Sequence, residues 1–258
     1  MKPQTGGYRQ LMSLPIVLLH AFPVSSRMWE PVRAALPTAI ELLTPDFRGA
    51  GDVPLDDDPP SLDVLADDVA RFLDVRGIDR AIIGGLSMGG YTTMAFMRRH
   101  PERAAAIVLA DTKAELDVET ARTNRLAMAE TLDAEGTSRV LLDDVLPTLT
   151  GETTKRERPA AMTFVREMVG SARPASAAWW QRAMAVRPDS FDTLRGLGVP
   201  ALVIVGEEDA LATRAQAGAM ADAIPDAQLV ELPRAGHFSA IETPEAFAAA
   251  LVGASADG

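Results

Sequence analysis

Short apolar runs recur along the chain, and stretches typical of turns and helices separate them. The runs cover residues 14–19, 40–43, 81–83, 106–110, 201–205 and 228–232. A short apolar run between polar flanks is typical of a strand that is covered on both faces, as strands of a parallel sheet are. Alternation of such strands with helices indicates βαβ units. The pattern therefore predicts an α/β fold with a mostly parallel sheet of about six strands flanked by helices.

Two of the intervening stretches carry clear helical signals. Residues 61–75 place Leu65 and Leu73 on one apolar face, and Ser61 is positioned to cap the N-terminus. Thr243 precedes a proline and a glutamate, which is the pattern of a second helix start. Both stretches are predicted to be helices that cover the sheet.

Residues 112–194 interrupt the alternation, because they show helical periodicity broken by prolines and no clear strand-like run. We interpret them as several short helices inserted between two strands. An insertion above the carboxyl ends of the strands would form a lid over a binding site. The predicted organisation is a core of residues 1–111 and 195–258 with a helical cap of residues 112–194.

Composition narrows the chemistry. The chain has 258 residues, no cysteine, three histidines and a formal net charge of −11. Without cysteine, disulfides, thiolate catalysis and Cys-ligated zinc are excluded, and so few histidines disfavour a histidine-rich metal site. The acidic balance argues against a nucleic-acid partner, because phosphate neutralisation needs clustered Lys and Arg. No apolar run approaches the roughly 18 residues of a transmembrane helix, and residues 1–13 lack the features of a signal peptide, so we expect a cytoplasmic protein without membrane contact.

The clearest motif is Gly85-Leu86-Ser87-Met88-Gly89, which matches G-x-S-x-G after a predicted strand and before a helical stretch. That context is typical of a nucleophile elbow, in which Ser87 stands on a tight turn and the glycines leave room for the backbone. The amide of Met88 would lie at a helix N-terminus, where it favours a developing oxyanion. The alternative is an ordinary glycine-rich turn with an exposed serine.

A serine nucleophile needs a base, and three histidines are available. His100 ends a helix, and His20 closes the first strand, so both suit structural roles. His237 lies in a loop after the sixth strand, where functional residues of open α/β sheets gather. Asp209, after the fifth strand, is the favoured partner for the imidazole, and Asp111, after the fourth, is the competing acid.

These motifs resemble the α/β-hydrolase superfamily, in particular small esterases and 3-oxoadipate enol-lactonase-type serine hydrolases. The matching segments are LLHAFP (18–23), RMWEP (27–31), PDFRGAG (45–51), GLSMGG (85–90), GEEDAL (206–211) and AGHFSAIETPEAF (235–247). The resemblance implies a Ser87–His237–Asp209 triad, an oxyanion hole formed by the amides of Phe22 and Met88, and no cofactor or metal. It also implies that residues 112–194 are the cap.

Two features depart from the family pattern. Only 13 residues precede Leu14, so the usual N-terminal hairpin is expected to be reduced. The loop usually written RGxGxS is RGAGDVP here, with Arg48 expected to hold it near the oxyanion hole by hydrogen bonds. The second change concerns the conformation of the loop rather than the chemistry.

The expected reaction is hydrolysis of a carboxylic ester or lactone of a small to medium, mainly apolar substrate by a monomer or homodimer. Apolar residues of the cap and of the histidine loop are the candidate pocket lining, although packing of the cap core is the favoured explanation for those of the cap: Phe164, Met168, Trp179, Trp180 and Phe238. Arg125 and Arg166 are candidates to contact an acidic substrate, but a solvated helix face is the favoured explanation for both. The same scaffold also suits a lyase, cyclase or perhydrolase, and a non-catalytic ligand receptor is a more remote alternative.

Overall fold

The computed structural model describes residues 13–253, and within them the strands form one six-stranded sheet in which every pair is parallel. The strands are β1 (Ile16–Leu19), β2 (Leu42–Leu43), β3 (Ala81–Leu86), β4 (Ala104–Ala110), β5 (Ala201–Gly206) and β6 (Ala227–Leu232). Their order across the sheet is β2-β1-β3-β4-β5-β6. The predictions about the N-terminal stretch and the reduced hairpin concern residues 1–12, which lie outside the described residues.

Helices cover this sheet and fill the long connection between β4 and β5. They are α1 (Glu30–Ala35), α2 (Leu62–Val75), α3 (Met88–Arg99), α4 (Glu119–Glu135), α5 (Glu152–Glu157), α6 (Pro159–Gly170), α7 (Pro174–Ala185), α8 (Phe191–Arg195), α9 (Arg214–Ala223), α10 (Ser239–Glu242) and α11 (Pro244–Leu251). Across residues 13–253, no helix combines the length and apolarity needed to cross a membrane. The predicted α/β hydrolase fold, with a parallel sheet flanked by helices, is confirmed.

The strands follow the apolar runs, with differences at their ends. β3 extends to Leu86, beyond the predicted run, because Gly84 and Gly85 pair with Val108 and Leu109 of β4. A Cβ on Gly84 would lie 2.5 Å from the Val108 Cβ, so this part of the strand needs glycine. Because glycine has no apolar side chain, the sequence pattern does not mark these residues as part of the strand. The predicted run at residues 40–43, by contrast, is longer than its strand, because only Leu42 and Leu43 pair with β1.

Helix α2 illustrates how local sequence sets an element. The Ser61 side chain accepts a hydrogen bond from the Asp63 amide at 3.1 Å, which caps the helix as predicted. Leu65 and Leu73 are fully buried against the core, on the apolar stripe of the sequence.

The connection between β4 and β5 contains helices α4 to α8, and α4 packs along α7. Helix α7 also joins these helices to a core loop. The indole Nε1 of Trp179 donates to the carbonyl oxygen of Asp58 at 2.9 Å, and that of Trp180 donates to the carbonyl oxygen of Arg48 at 3.1 Å. The inserted helices therefore lie against the loop that follows β2.

The carboxyl ends of the parallel strands meet at one edge of the sheet. The residues next to these ends include the five candidate side chains predicted to follow strands: His20 after β1, Ser87 after β3, Asp111 after β4, Asp209 after β5 and His237 after β6. Since loops at this edge gather ligand-binding residues in open α/β sheets, the candidate site lies here.

Candidate active site

Ser87 occupies the sharp turn between β3 and α3. Its φ is 56° and its ψ is −112°, a strained conformation for a residue with a side chain. The turn is held by a hydrogen bond from the Ser87 amide to the Ala110 carbonyl oxygen at 2.9 Å. A Cβ on Gly89 would lie 2.1 Å from the Leu19 carbonyl oxygen, so the helix can approach β1 this closely only with glycine at this position.

Ser87, His237 and Asp209 form a continuous chain of hydrogen bonds. The Oγ of Ser87 lies 2.9 Å from Nε2 of His237, and Nδ1 of His237 lies 2.9 Å from Oδ2 of Asp209. The imidazole is 5% exposed and Asp209 is 7% exposed, whereas Ser87 is half-buried. An ionised Asp209 accepts a hydrogen bond from the Nδ1–H group, which keeps the proton on Nδ1. Nε2 is therefore left unprotonated and can accept the serine hydroxyl proton.

The carboxylate of Asp209 is held by backbone as well as by histidine. Its Oδ1 accepts hydrogen bonds from the amides of Leu211 at 2.7 Å and Ala212 at 3.0 Å. Burial by itself raises the pKa of Asp209, but the charge and hydrogen bond of His237, together with these amides, outweigh it and hold the pKa below its usual value. Asp209 is therefore an anion with a fixed orientation.

Asp111, the competing acid, lies deeper and does not meet the imidazole. Its Oδ1 accepts from the Gly206 amide at 2.8 Å, and its Oδ2 bonds to the hydroxyl of Ser239. Complete burial raises the pKa of Asp111 well above its ordinary value, and the negative charge of Asp209 raises it further. The environment of Asp111 thus favours its neutral form, and its hydrogen bonds tie the end of β4 to the end of β5 and to Ser239 beyond β6.

The two amides expected to stabilise an oxyanion are free. Within the part of the chain that the structure describes, neither the Phe22 nor the Met88 N–H donates to an acceptor. Met88 is the first residue of α3, so the partial positive charge of the helix N-terminus lies at its amide. Phe22 and Ser87 line the same cavity.

His20 organises the loop that carries Phe22. Its Nδ1 donates to the Ala21 carbonyl oxygen at 3.0 Å, and its Nε2 accepts from the Phe47 amide at 3.1 Å. Burial lowers the pKa of His20, which keeps the ring neutral and allows Nε2 to accept. His20 therefore has the backbone-organising position that its place in the sequence suggested.

His100 and Arg48 lie away from Ser87, in structural contacts. His100 ends α3, and its Nε2 lies 2.7 Å from Asp67. Arg48 is buried and bonds to Asp68 through Nε at 2.7 Å and to Asp58 through Nη1 at 2.7 Å. The hydrogen bond with Asp68 raises the pKa of Arg48. Arg48 thus fastens its loop to α2.

A buried carboxylate that the sequence analysis missed joins the His237 loop to the inserted segment. Glu242, only 3% exposed, accepts from the Gly151 amide through Oε2 at 2.8 Å and from the Phe238 amide through Oε1 at 3.1 Å. The Phe238 amide also lies 2.9 Å from the carbonyl oxygen of Leu149. We call residues 149–153, which meet the core here, the seam segment.

Glu208 makes a second junction with the seam segment. Its carboxylate accepts from the Thr153 amide at 2.8 Å and from the Thr153 hydroxyl. Two glycines allow the close approach, since a Cβ on Gly236 would lie 2.1 Å from the Gly151 nitrogen. The sequence held one signal that could have pointed to this junction. Glu208 directly precedes Asp209, and Gly236 directly precedes His237.

A cavity of about 170 Å³ opens beside Ser87, between the core and the inserted helices. It is lined by residues of both: Phe22, Ser87, Tyr91, Lys113, Arg125, Val145, Leu149, Gln181, Met184, Leu211 and His237. Lys113, Gln181 and Tyr91 were not singled out from the sequence. Arg125 was, and the structure brings it to the cavity, whereas Arg166 lies on an exposed face of α6.

The apolar residues expected to line a pocket lie elsewhere, and among the described residues none of the five lines this cavity. Met168 and Trp180 line a separate cavity of about 250 Å³ that contains neither Ser87 nor His237. Trp179 hydrogen-bonds a core loop, Phe164 packs under the guanidinium of Arg27, and Phe238 lies buried beside the His237 ring. The indole N–H groups find carbonyl partners in the loop after β2, and the ring of Trp180 packs edge-on against Phe22.

The structure describes no cluster of three or more His, Asp or Glu side chains within residues 13–253 that is arranged to hold a metal ion.

Comparison with known proteins places the chain in a family. The chain is similar to a thermophilic esterase from Thermogutta terrifontis, with a TM-score of 0.89 and 37% identity, over 92% of this chain and 88% of that one. It is similar to an enol-lactonase from Burkholderia xenovorans LB400, with a TM-score of 0.84 and 32% identity, over 93% of this chain and 90% of that one. A 3-oxoadipate enol-lactonase of Acinetobacter baylyi is 28% identical over 90% of this chain and 85% of its own length. Residues 16–250 match the sequence profile of the alpha/beta hydrolase family, and the chain therefore belongs to that family.

Proposed function

We propose that this chain is a serine hydrolase that cleaves a carboxylic ester or lactone through an acyl-enzyme on Ser87. The observation that carries the proposal is the hydrogen-bond chain from Ser87 through His237 to Asp209, with 2.9 Å at each link. A serine hydroxyl becomes a useful nucleophile only with an oriented base, and this chain supplies one. Similarity to an esterase and to enol-lactonases supports the same class of reaction.

In the first step, His237 Nε2 takes the hydroxyl proton while Ser87 Oγ attacks the substrate carbonyl. The positive charge that forms on the imidazole is stabilised by Asp209, whose low pKa keeps it ionised. His237 then gives the proton to the leaving alcohol, and the acyl group stays on Ser87. For a lactone, the leaving alkoxide belongs to the same molecule, which remains attached as a hydroxyacyl ester.

The free amides of Phe22 and Met88 are the proposed oxyanion hole. Each such donor contributes about 3 kcal/mol to the stability of the transition state, because it is aimed beforehand at the oxygen where charge develops. His20 acts through the loop, since its two ring nitrogens fix the backbone that carries Phe22. It is therefore a positioning residue.

In the second step, water takes the place of the alcohol, and His237 removes its proton as it attacks the acyl carbonyl. The products are a carboxylic acid and an alcohol, and the proton returns to Ser87. We propose that residues 112–194 act as a cap, because Arg125, Val145 and Met184 of this segment close the cavity over Ser87. The cavity of about 170 Å³ favours a small substrate group beside Ser87.

A fluorophosphonate probe tests the nucleophile directly. We expect covalent labelling of the wild type and hydrolysis of 4-nitrophenyl acetate, with both lost in Ser87→Ala. The matched control is Ser171→Ala, because the Ser171 hydroxyl bonds only to the Met168 carbonyl oxygen among the described residues. A wild type that is neither labelled nor active on any ester of a graded series would contradict the proposal.

A further inference from the structure

The cavity beside Ser87 is cationic, although the chain as a whole carries a net charge of −11. Two of its lining side chains are Lys113 and Arg125, and of the described residues that line it, none is acidic. The chain has only three lysines, and one of them lines this cavity. The cavity therefore has the opposite sign to the protein surface.

Arg125 projects from α4 and is held in one orientation by the side chains of Asp117, Gln181 and Met184. Its Nε donates to Asp117 at 2.5 Å, and its Nη1 donates to the side-chain oxygen of Gln181 at 3.1 Å. Within residues 13–253, its Nη2 has no acceptor. The guanidinium is thus anchored through Nε and Nη1, and its Nη2 is left to donate to a ligand.

Lys113 lies three residues after the end of β4, with 22% of its side chain exposed. Its Nζ is 3.9 Å from Oδ1 of Asp117, a distance too long for a hydrogen bond. No closer acceptor exists in the part of the chain that the structure describes. The ammonium group therefore has donors available to a ligand in the cavity.

The local charge balance leaves a positive excess. Asp117 is buried and pairs with Arg125, with Lys113 and with Arg187, whose Nη1 lies 2.6 Å away. Burial raises the pKa of Asp117, but the Arg187 and Arg125 contacts outweigh it, and the net shift is downward, so Asp117 is ionised. Glu115 is close in sequence, yet among residues 13–253 its carboxylate pairs with none of these cations. Three cations thus share one carboxylate.

We propose that the substrate of this enzyme is an ester or lactone that carries its own carboxylate. Lys113 and Arg125 hold that carboxylate while the carbonyl to be attacked lies at Ser87. The proposal rests on the proposed hydrolase function and names its substrate class. It replaces the mainly apolar substrate expected from the sequence.

A carboxylate suits these donors for geometric reasons. The free Nη2 of Arg125 can donate a charge-assisted hydrogen bond to a carboxylate oxygen, and the Lys113 ammonium group supplies a point charge beside it. The rest of the lining, with Leu149, Met184 and Leu211, is apolar and fits the short hydrocarbon chain between the two ends of such a substrate. The carboxylate takes no part in bond making, and hydrolysis proceeds at the other carbonyl.

The test compares esters that differ by one charge and almost nothing in size. Mono(4-nitrophenyl) glutarate is paired with 4-nitrophenyl glutaramate, which places the charge on the acyl side. Acetate esters of 4-hydroxybenzoate and of its amide place it on the alcohol side. We expect the wild type to prefer the anionic member of at least one pair by about 10- to 100-fold in kcat/KM, as for hydrogen bonds to a charged group. This preference should weaken as ionic strength rises.

Lys113→Met removes the charge and keeps the length of the side chain. We expect about a tenfold loss of kcat/KM for the preferred anionic ester, mainly through KM, with the neutral ester almost unaffected. Lys113→Arg should recover most of the loss. Lys155→Met is the matched control, since it also removes one lysine charge but does not line the cavity.

Binding to Ser87→Ala separates this proposal from the proposed reaction. The variant cannot form an acyl-enzyme, so calorimetry of the same four esters measures the charge preference without chemistry. Equal affinity for charged and neutral members of both pairs, or equal losses for both in Lys113→Met, would overturn the carboxylate proposal. Failure of the wild type to hydrolyse any of the four esters would contradict the hydrolase proposal instead.

Discussion

Ser87, His237 and Asp209 stand on loops that follow parallel strands, whereas Arg125, Gln181 and Met184 face them from inserted helices. On the strand side, backbone hydrogen bonds fix the loops: the Ser87 amide donates to Ala110, and the Asp209 amide donates to Gly206 at 3.1 Å. On the helical side, the orientation of Arg125 depends on the side chains of Asp117 and Gln181.

This difference separates two tasks. The backbone of a buried sheet holds the reacting groups with little freedom, while side chains on the helices can change without disturbing it. The seam segment is the exception, because Glu242 and Glu208 connect it to the loops that carry His237 and Asp209. Substitutions on the two sides and at the seam should therefore have distinct signatures.

The largest effect should distinguish the two buried acids on the strand side. Asp209→Asn removes the charge that orients and stabilises His237, so we expect kcat to fall by about 10⁴-fold. Asp111→Asn is the matched control, because an amide resembles the neutral acid at this position, and its activity should stay within a few-fold of wild type. Steady-state kinetics with 4-nitrophenyl acetate decides this. Similar losses in both variants would mean that Asp111 also supports the histidine.

The second prediction concerns a substitution that adds a side chain where the His237 loop contacts the seam segment. Gly236→Ala would place a Cβ 2.1 Å from the Gly151 nitrogen, and we expect about 1–3 kcal/mol of lost stability as the backbone shifts. Activity should fall too, since the next residue is His237. Gly198→Ala is the control, because nothing lies within 4 Å of its added Cβ. Denaturant unfolding measures both, and equal stabilities would show that the seam is not tightly packed.

The third prediction removes the carboxylate that joins the seam to the His237 loop. Glu242→Ala leaves the Gly151 amide without its acceptor in the interior, at a cost of about 1–3 kcal/mol. Glu242→Gln keeps one acceptor oxygen and should lie between this variant and wild type. We expect kcat to fall with stability, with KM less affected, as measured by kinetics and thermal unfolding. An unchanged kcat in a folded Glu242→Ala would restrict Glu242 to a purely structural role.

The smallest expected effect is a pH dependence of stability. The folded protein keeps Asp111 protonated at pH values where the unfolded chain, with the ordinary value of 3.8, has lost the proton. Wild-type stability therefore loses this contribution as pH rises above 3.8 toward the folded pKa. Asp111→Asn cannot ionise, so its Tm relative to wild type should increase over that window. A constant difference from pH 4 to 8 would show that Asp111 is ionised in the fold.

The six strands of the sheet could be predicted from the sequence, because the patterns that mark a strand lie within the strand itself. Apolar runs marked the six strands, and Ser61 marked the start of α2, as a cap must. The end of β3 was underestimated, since Gly84 and Gly85 are required by the neighbouring strand rather than by their own pattern. Such a requirement involves residues about 24 positions away, and no local periodicity carries it.

The site was only partly predictable for a similar reason. G-x-S-x-G and the scarcity of histidine pointed to Ser87 and His237, but the choice between Asp209 and Asp111 stayed open in the sequence. Their roles depend on which carboxylate reaches the imidazole. The apolar residues of the inserted helices were expected at the pocket, yet Trp180 hydrogen-bonds a core loop. The periodicity of a helix identifies its apolar face, but it does not show which part of the protein that face contacts.

The sequence by itself thus determined the order of elements, the nucleophile turn and the chemistry available to a chain without cysteine. Tertiary structure alone decided the raised pKa of Asp111, the junction through Glu242 and the place of Lys113 and Arg125 in the cavity beside Ser87. The physical reason is that burial, charge pairing and cavity lining arise between segments far apart in the chain. They are set by packing, and packing has no counterpart in the local alternation of polar and apolar residues.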